Sequence, residues 1–320
     1  MAGRHPGRQD PSPTLPALPP LGAHVSVAGG LCSAFPRAAE LECTAMQVFV
    51  KNASQWRGKD LANEEAESFR AAHGASAVGP LVAHASYLIN LAATDPLVLE
   101  RSEAALADEL VRCARLGVQG LVLHPGAHMG KGEEAGIDSF VAALDRVLAA
   151  VPAEMPGIAT RVLLENTAGQ GTCLGCRLEH LERIRSLVSA PHRVGVCLDT
   201  CHAFAAGYPI HEAAGREEFL AEVEERLGLD VLGCFHVNDS VKPFASRRDR
   251  HAHIGDGEIG VDLFAWLVTE PRLAAIPMVL ETEPGDDMKG HRRDLNTLRS
   301  LAGAPALKRR RRKKAFSKRS

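Results

Sequence analysis

Nine residues of two kinds recur along the chain in a way that suits metal binding. His84, His124, His202, His236 and His251 offer imidazole nitrogen, and Glu165, Asp199, Asp249 and Glu281 offer carboxylate oxygen. Gathering five imidazoles and four carboxylates at one place would cost on the order of several kcal/mol in repulsion and desolvation unless cations neutralised them. Mixed nitrogen and oxygen donors, with no cysteine required, suit Zn²⁺ or Mn²⁺. One such ion takes about three or four protein ligands, so this set implies two or three ions. Clustered divalent ions activate water and stabilise the attacking and leaving oxygens of an in-line displacement at phosphorus, which favours phosphoester hydrolysis over redox chemistry.

These donors act together only if the fold brings them to one end. Short apolar runs, each closing on a polar residue, occur at LGAHVSV (21–27), AMQVFVKN (45–52), GPLVAHAS (79–86), QGLVLHPG (119–126), TRVLLENT (160–167), RVGVCLDTCH (193–202), VLGCFHVND (231–239) and IPMVLETE (276–283). Runs this short and rich in Val, Leu and Ile fit strands buried on both faces, as in a parallel sheet. Helical stretches lie between them, such as DPLVLERSEAALADELVRCARLG (95–117), with Gly117 as its stop, and EEFLAEVEERLG (217–228). The rhythm predicts a single-domain (β/α)₈ TIM barrel, with an open doubly wound sheet as the alternative. In such a barrel the chemistry sits at the carboxyl ends of the strands. His84, His124, Glu165, Asp199, His236 and Glu281 close consecutive strand candidates, His202 follows Asp199 by three residues, and Asp249 and His251 fall in the loop after the seventh strand.

The stretch DRHAHIGDGEIG (249–260) carries two overlapping patterns. Gly255-x-Gly257-x-x-Gly260 has the letters of a dinucleotide-binding turn, but that turn must follow a strand directly and open a helix early in a βαβ unit. Here it follows a charged loop late in the chain, so the glycines read better as a turn that lets Asp249 and His251 reach one ion. The glycine-rich HPGAHMGKG (124–132) lacks the spacing of a phosphate loop. Cys173-x-x-Cys176 has no second pair and reads as an ordinary loop. His24 and His128 are expected to support the ligands through hydrogen bonds, and His73, His180, His192, His211 and His291 to be structural.

Composition narrows the class. The chain has 320 residues and 45% hydrophobic content, enough for a full-sized core. No apolar run approaches the roughly 18 residues that span a bilayer, and residues 1–20 are a proline-rich leader without a signal-like apolar core. Eight cysteines are scattered, several within apolar runs, as expected of reduced thiols. Residues 304–320 form a basic tail. From Lys308 it holds nine basic residues and no acidic ones, so a net charge of −2 for the whole chain leaves −11 for the rest. An acidic body repels a polyanion unless bound cations or local basic patches offset it, and the tail reads as a nuclear address or a nucleic-acid arm. The expected compartment is the nucleus, with the bacterial cytoplasm as the alternative.

The blocks AHASYLINL (83–91), LVLHPGAH (121–128), LLENTAGQG (163–171), VCLDTCHAFAAGY (196–208), FHVNDS (235–240), DRHAHIGDGEIG and VLET (279–282), opening with GAHVSVAGGL (22–31), resemble the endonuclease IV family of zinc-dependent apurinic/apyrimidinic endonucleases. The resemblance covers residues 21–303 and implies a monomeric TIM barrel with three Zn²⁺ ions, Mn²⁺ being possible at one site. His84, His124 and a bridging Glu165 would hold the first ion; Glu165, Asp199, His236 and Glu281 the second; His202, Asp249 and His251 the third. The implied substrate is double-stranded DNA containing abasic sites. It would be cut 5′ to the lesion to leave a 3′-hydroxyl and a 5′-deoxyribose phosphate, and blocking groups would also be removed from 3′ ends. Glu165 and Glu281 would orient the attacking water, and no membrane would be involved. Tyr87 and Leu88 would enter the DNA beside the lesion, and Lys51, Asn52 and Arg57 would contact phosphates. Ser54 stands where the family often has arginine. A single-metal sugar isomerase or epimerase on the same barrel would need only Glu165, Asp199, His236 and Glu281.

Overall fold

The computed structural model describes residues 18–151 and 160–307. Eight parallel strands close a barrel: β1 (Leu21–His24), β2 (Ala45–Val48), β3 (Leu81–His84), β4 (Gly120–Leu123), β5 (Arg161–Glu165), β6 (Val194–Asp199), β7 (Leu232–His236) and β10 (Met278–Leu280). A two-stranded antiparallel ribbon, β8 (Asp239–Ser240) and β9 (His251–Ala252), lies between the last two barrel strands in sequence. The helices are α1 (Ala34–Glu40), α2 (Asn63–Gly74), α3 (Pro96–Leu116), α4 (Glu133–Ala150), α5 (Leu178–Leu187), α6 (Thr200–Ala206), α7 (Ala213–Arg226), α8 (Val261–Thr269) and α9 (Lys289–Leu301). All eight expected strands are present, and the open-sheet alternative is excluded because β1 pairs with both β2 and β10.

Local signals set the helix ends. Asp95 caps α3 by accepting from the Leu97 and Val98 amides at 2.8 and 3.2 Å, Pro96 occupies the first turn, and Gly117 ends the helix at φ 77°. The apolar surface divides into two bodies. Outward-facing strand residues such as Met46, Leu121, Leu164 and Phe235 pack under the helices, whereas Val82, Val122, Leu163, Cys197, Cys234 and Val279 form a separate cluster inside the barrel. Leu163 plugs that interior because its neighbours are glycines. A Cβ on Gly120, Gly195 or Gly233 would fall 2.5, 2.8 or 2.6 Å from its methyls. Gly233 is the extra residue of a bulge where β6–β7 pairing steps from Val196–Leu232 to Cys197–Cys234.

The ends of the expected leader and tail join the barrel. The Met278 amide donates to Pro20 O at 2.8 Å, and the Leu307 amide donates to Asn296 Oδ1 at 2.8 Å with Leu307 buried. Residues 1–17 of the leader and the basic run from Lys308 lie outside the described residues. The described cysteines are all free, and no described helix is long and apolar enough to cross a membrane.

A candidate metal centre at the barrel mouth

Side chains alternate along a strand, so residues two apart share a face. Six strands carry an interior cluster residue and, two positions later, a donor that ends the strand or, for His124 and Glu281, directly follows it: Val82 and His84, Val122 and His124, Leu163 and Glu165, Cys197 and Asp199, Cys234 and His236, Val279 and Glu281. The two remaining strands place His24 and Gln47 beside the same centre, where Gln47 Nε2 lies 3.0 Å from His24 Nδ1. His202 is added by the first turn of α6, whose N-cap is Asp199: the His202 amide donates to Asp199 Oδ1 at 2.7 Å.

Glu165 is the hub. Its Oε2 lies 3.2 Å from His84 Nε2 and 2.9 Å from His124 Nε2, and its Oε1 lies 2.8 Å from His236 Nδ1 and 3.3 Å from His202 Nδ1. Among the described residues donor atoms converge within 4.8 Å in five groups. Three are drawn wholly from the nine residues: His84, His124 and Glu165; Glu165, Asp199, His236 and Glu281; His202, Asp249 and His251. The other two join Cys197 and Cys234 to His236, and Cys201 to Asp199 and His251. The first three are the sets implied by the family resemblance.

Hydrogen bonds leave particular ring nitrogens free. A carbonyl oxygen only accepts, so His84 donates from Nδ1 to Ala85 O (2.8 Å) and His236 from Nε2 to Gln47 Oε1 (2.8 Å). That leaves His84 Nε2 and His236 Nδ1 facing carboxylates, as ligands are oriented by their outer partners. His202 Nε2 lies 3.1 Å from Asp249 Oδ2. His251 Nε2 is buried and makes no hydrogen bond, although Asp249 Oδ1 lies 3.2 Å away, close enough for an ion pair but poorly aligned. With Asp199 Oδ2 a further 3.7 Å neighbour, this is an orphaned nitrogen against two carboxylates, which a cation would satisfy, so these residues fit a divalent metal.

The electrostatics agree. Burial alone would lower the imidazoles, but Asp199, Asp249 and Glu165 raise His202, and Glu281 and Glu165 raise His236, well above the ordinary range. His251 is likewise raised to about 9 against its burial, chiefly by Asp199 and Asp249. Burial works to raise the Glu165 carboxylate, yet His236 and His124 hold it well below its usual range, and Asp249 and Glu281 are also lowered. Such a centre attracts positive charge, which divalent ions held by these carboxylates and imidazoles would supply.

Asn166, Asn238 and Gln47 fix the carboxylates. The Asp199 amide donates to Asn166 Oδ1 (2.6 Å), Asn238 Nδ2 donates to Asp199 Oδ2 (2.6 Å), and the Glu281 amide donates to Asn238 Oδ1 (2.9 Å). Gln47 Nε2 donates to Glu281 Oε1 at 2.6 Å. The ribbon β8–β9 carries His251, and the loop after it is organised by buried Asp239. Its Oδ2 accepts from the Gly255 and Gly257 amides (3.0 and 3.1 Å), and its Oδ1 accepts from those of Ile259 and Ser240 (3.0 and 2.8 Å). The Gly255 and Gly257 amides of the Gly-x-Gly-x-x-Gly letters are thus occupied from within. Gly255 and Gly260 take φ of 86° and 81°, and a Cβ on Gly257 would fall 2.4 Å from Asp239 Oδ1.

The residues expected to meet DNA divide. Tyr87 is 68% exposed at the mouth, its ring 5.5 Å from His84 and 5.6 Å from Phe49, and Leu88 beside it is half-buried. Asn52, Ser54 and Arg57 are exposed. Lys51 requires a correction: it is buried, with Nζ 2.9 Å from Glu109 Oε1 and donating to Gln55 O at 2.7 Å, so its charge is neutralised inside the protein. Glu109 also accepts from the Ser86 amide at 3.1 Å, and Ser86 Oγ donates to Ala53 O at 2.6 Å, tying the Tyr87 loop to the Asn52 loop. His24 supports the centre, with Nδ1 3.7 Å from Glu281 Oε1. His128 instead accepts from the Gly132 amide at 3.1 Å, within its own loop.

Residues 35–301 match the family described as the xylose isomerase-like TIM barrel. The probable endonuclease 4 of Chloroflexus aurantiacus is 49% identical over 284 residues, 89% of this chain and 98% of that one. The crystal structure of endonuclease IV from Thermus thermophilus superposes with a TM-score of 0.78 at 38% identity, covering 89% of this chain and 99% of that one. A D-tagatose 3-epimerase-like protein shares the fold alone, at 17% identity and a TM-score of 0.63, covering 88% of this chain and 98% of that one. With a match over 89% of the chain at this identity, the chain belongs to the endonuclease IV family of DNA-cleaving hydrolases.

Proposed function

We propose that the protein is a DNA-repair endonuclease that hydrolyses the phosphodiester bond 5′ to abasic sites in double-stranded DNA, leaving a 3′-hydroxyl and a 5′-deoxyribose phosphate, and that also clears blocked 3′ ends. The observation that carries this reading is the convergence of nine donors in three neighbouring groups, two of which share Glu165. The donor chemistry suits three Zn²⁺ ions, with Mn²⁺ an option at one site. When bound, such ions supply an activated water and positive charge for the developing alkoxide.

The chain's own residues orient and exclude. Glu165 is fully buried with both oxygens engaged, so its role is to bridge two groups. Glu281 keeps 14% of its side chain exposed at the mouth and is anchored through Oε1 by Gln47, so it is the carboxylate placed to orient the attacking water. Tyr87 and Leu88 form the wedge beside the lesion, and Asn52 and Arg57 replace Lys51 as the exposed polar contacts of their loop. All nine donors come from one chain, which suits a monomer. The relatives are bacterial proteins, which favours the bacterial cytoplasm over a nucleus and recasts the basic run from Lys308 as a DNA arm. Residues 21–303 would form the catalytic domain.

The single-metal epimerase reading leaves His84, His124, His202, Asp249 and His251 without a task. Metal analysis of purified protein together with nicking of a duplex bearing one abasic site tests the choice. About three Zn per chain and incision 5′ to the lesion are expected, whereas about one ion per chain without incision would overturn the reading.

A further inference from the structure

We propose that Asp294, which lies outside the nine donors, is a positioning residue that locks the segments carrying His251 and Glu281 to each other and so sets the separation of the second and third donor groups. This rests on reading the three groups as a working metal centre. Asp294 sits on α9, is fully buried, and accepts hydrogen bonds from both segments. Its Oδ2 accepts from Thr282 Oγ1 at 2.7 Å, and Thr282 directly follows Glu281. The same oxygen accepts from Nδ1 of His253, two residues beyond His251, at 2.8 Å, and Oδ1 accepts from the Ile254 amide at 3.3 Å. The helix does not need a carboxylate to stay in place. Leu295 and Leu298 are buried on it within the main apolar core, and burying a carboxylate costs far more than burying another leucine. What the carboxylate adds is direction, because hydrogen bonds from two segments to one group fix their relative position, and apolar contacts do not.

The start of α9 tightens the same grip. His291 donates from Nε2 to Thr282 O at 2.8 Å, and a Cβ on Gly290 would fall 2.8 Å from His253 Cε1, so the helix closes directly on both segments. The effect reaches the metal centre through His251. A carbonyl oxygen only accepts, so the contact of His251 Nδ1 with Glu281 O at 3.5 Å puts the ring proton on Nδ1 and leaves Nε2, the orphaned nitrogen, as the ligand atom. At 3.5 Å that bond is long, and it survives only while the two segments keep this separation. The bonds to Asp294 Oδ2, at 2.7 and 2.8 Å, are the short ones, and they hold it. Loosening them lets the His251 ring turn, so the third group loses a donor before the second does.

The test compares the wild type with D294A, which removes every acceptor, with T282V, which removes one hydroxyl, and with L298A, which removes a buried leucine from the same helix. Zinc per chain is measured after dialysis against a graded series of a soluble zinc chelator, with Tm alongside, and cleavage of a duplex with one abasic site is followed with and without added Zn²⁺. D294A should release one ion at a chelator concentration about 10–100-fold below that of the wild type, and T282V should shift the same way by less. In D294A kcat should fall with KM little changed, and added Zn²⁺ should restore part of it. L298A should lower Tm and keep its metal. Wild-type chelator resistance in D294A, or metal lost in step with Tm in both D294A and L298A, would overturn the inference. If D294A does not fold, T282V decides, release of an ion at lower chelator supporting the inference and wild-type resistance overturning it. If the wild type does not nick the duplex, the hydrolase reading fails instead, and the chelator series still decides Asp294. A wild type with about one ion per chain would overturn the three-group reading and the inference with it.

Discussion

The barrel presents two rungs one alternation apart on the same six strands. The lower rung, Val82, Val122, Leu163, Cys197, Cys234 and Val279, is apolar and sealed; the upper, His84, His124, Glu165, Asp199, His236 and Glu281, holds titratable groups at every position. Strand identity therefore does not decide chemistry here. Position along the strand does: the apolar floor closes the centre from below, so the charges above it interact in a dry environment where each pair counts for more than in water. Leu163 fills the space left by Gly120, Gly195 and Gly233, so its methyls form the middle of the floor two positions below Glu165.

Three substitutions probe the separation of the rungs, from the largest effect to the smallest. E165Q removes the charge that four imidazoles share, and cleavage should fall by about 10³-fold or more with loss of bound metal. A variant that retains both would mean the upper rung is not the reaction centre. L163A opens a void in the lower rung and should cost about 2–5 kcal/mol in denaturant unfolding, while metal per folded chain stays at the wild-type value. Metal lost in step with stability would show that the floor and the donors are one unit. Q47A leaves both rungs in place but frees Glu281 and His236 from their amide partner. It should lower kcat or metal affinity about 10–100-fold with little change in Tm, and an unchanged enzyme would remove Gln47 from the positioning set.

The strands and donors are legible in the sequence because both follow short-range rules. An apolar run ending in His, Asp or Glu announces a strand and its catalytic end at once, and a local i, i+3 step finds His202 after Asp199. What escapes depends on pairing between distant segments. Gln47 is an unremarkable strand glutamine until β2 comes to lie beside β1 and within reach of Glu281, 234 positions away. Asn166 and Asn238 sit next to donors, but their amides matter only through cross-strand contacts to Asp199 and Glu281. Lys51 departs from expectation for the same reason: a lysine in a loop reads as exposed charge, and only the fold reveals Glu109 on α3 beneath it. The ends also differ. Pro20 is tied by a backbone bond to Met278, and Ala304–Leu307 by three bonds to Arg299 and Asn296 of α9, contacts that proline content and proximity to a basic run do not announce.

Asp239 gives the Gly-x-Gly-x-x-Gly loop a further property. Three loop amides that could cradle a soluble anion, those of Gly255, Gly257 and Ile259, are held by a carboxylate 16, 18 and 20 positions upstream. The anion is part of the same chain, so its effective concentration at the loop does not depend on solution composition. Free phosphate or nucleotide cannot compete for those amides. The loop carrying Asp249 and His251 is consequently preset in shape before DNA arrives, and it stays so in a cell crowded with phosphate esters.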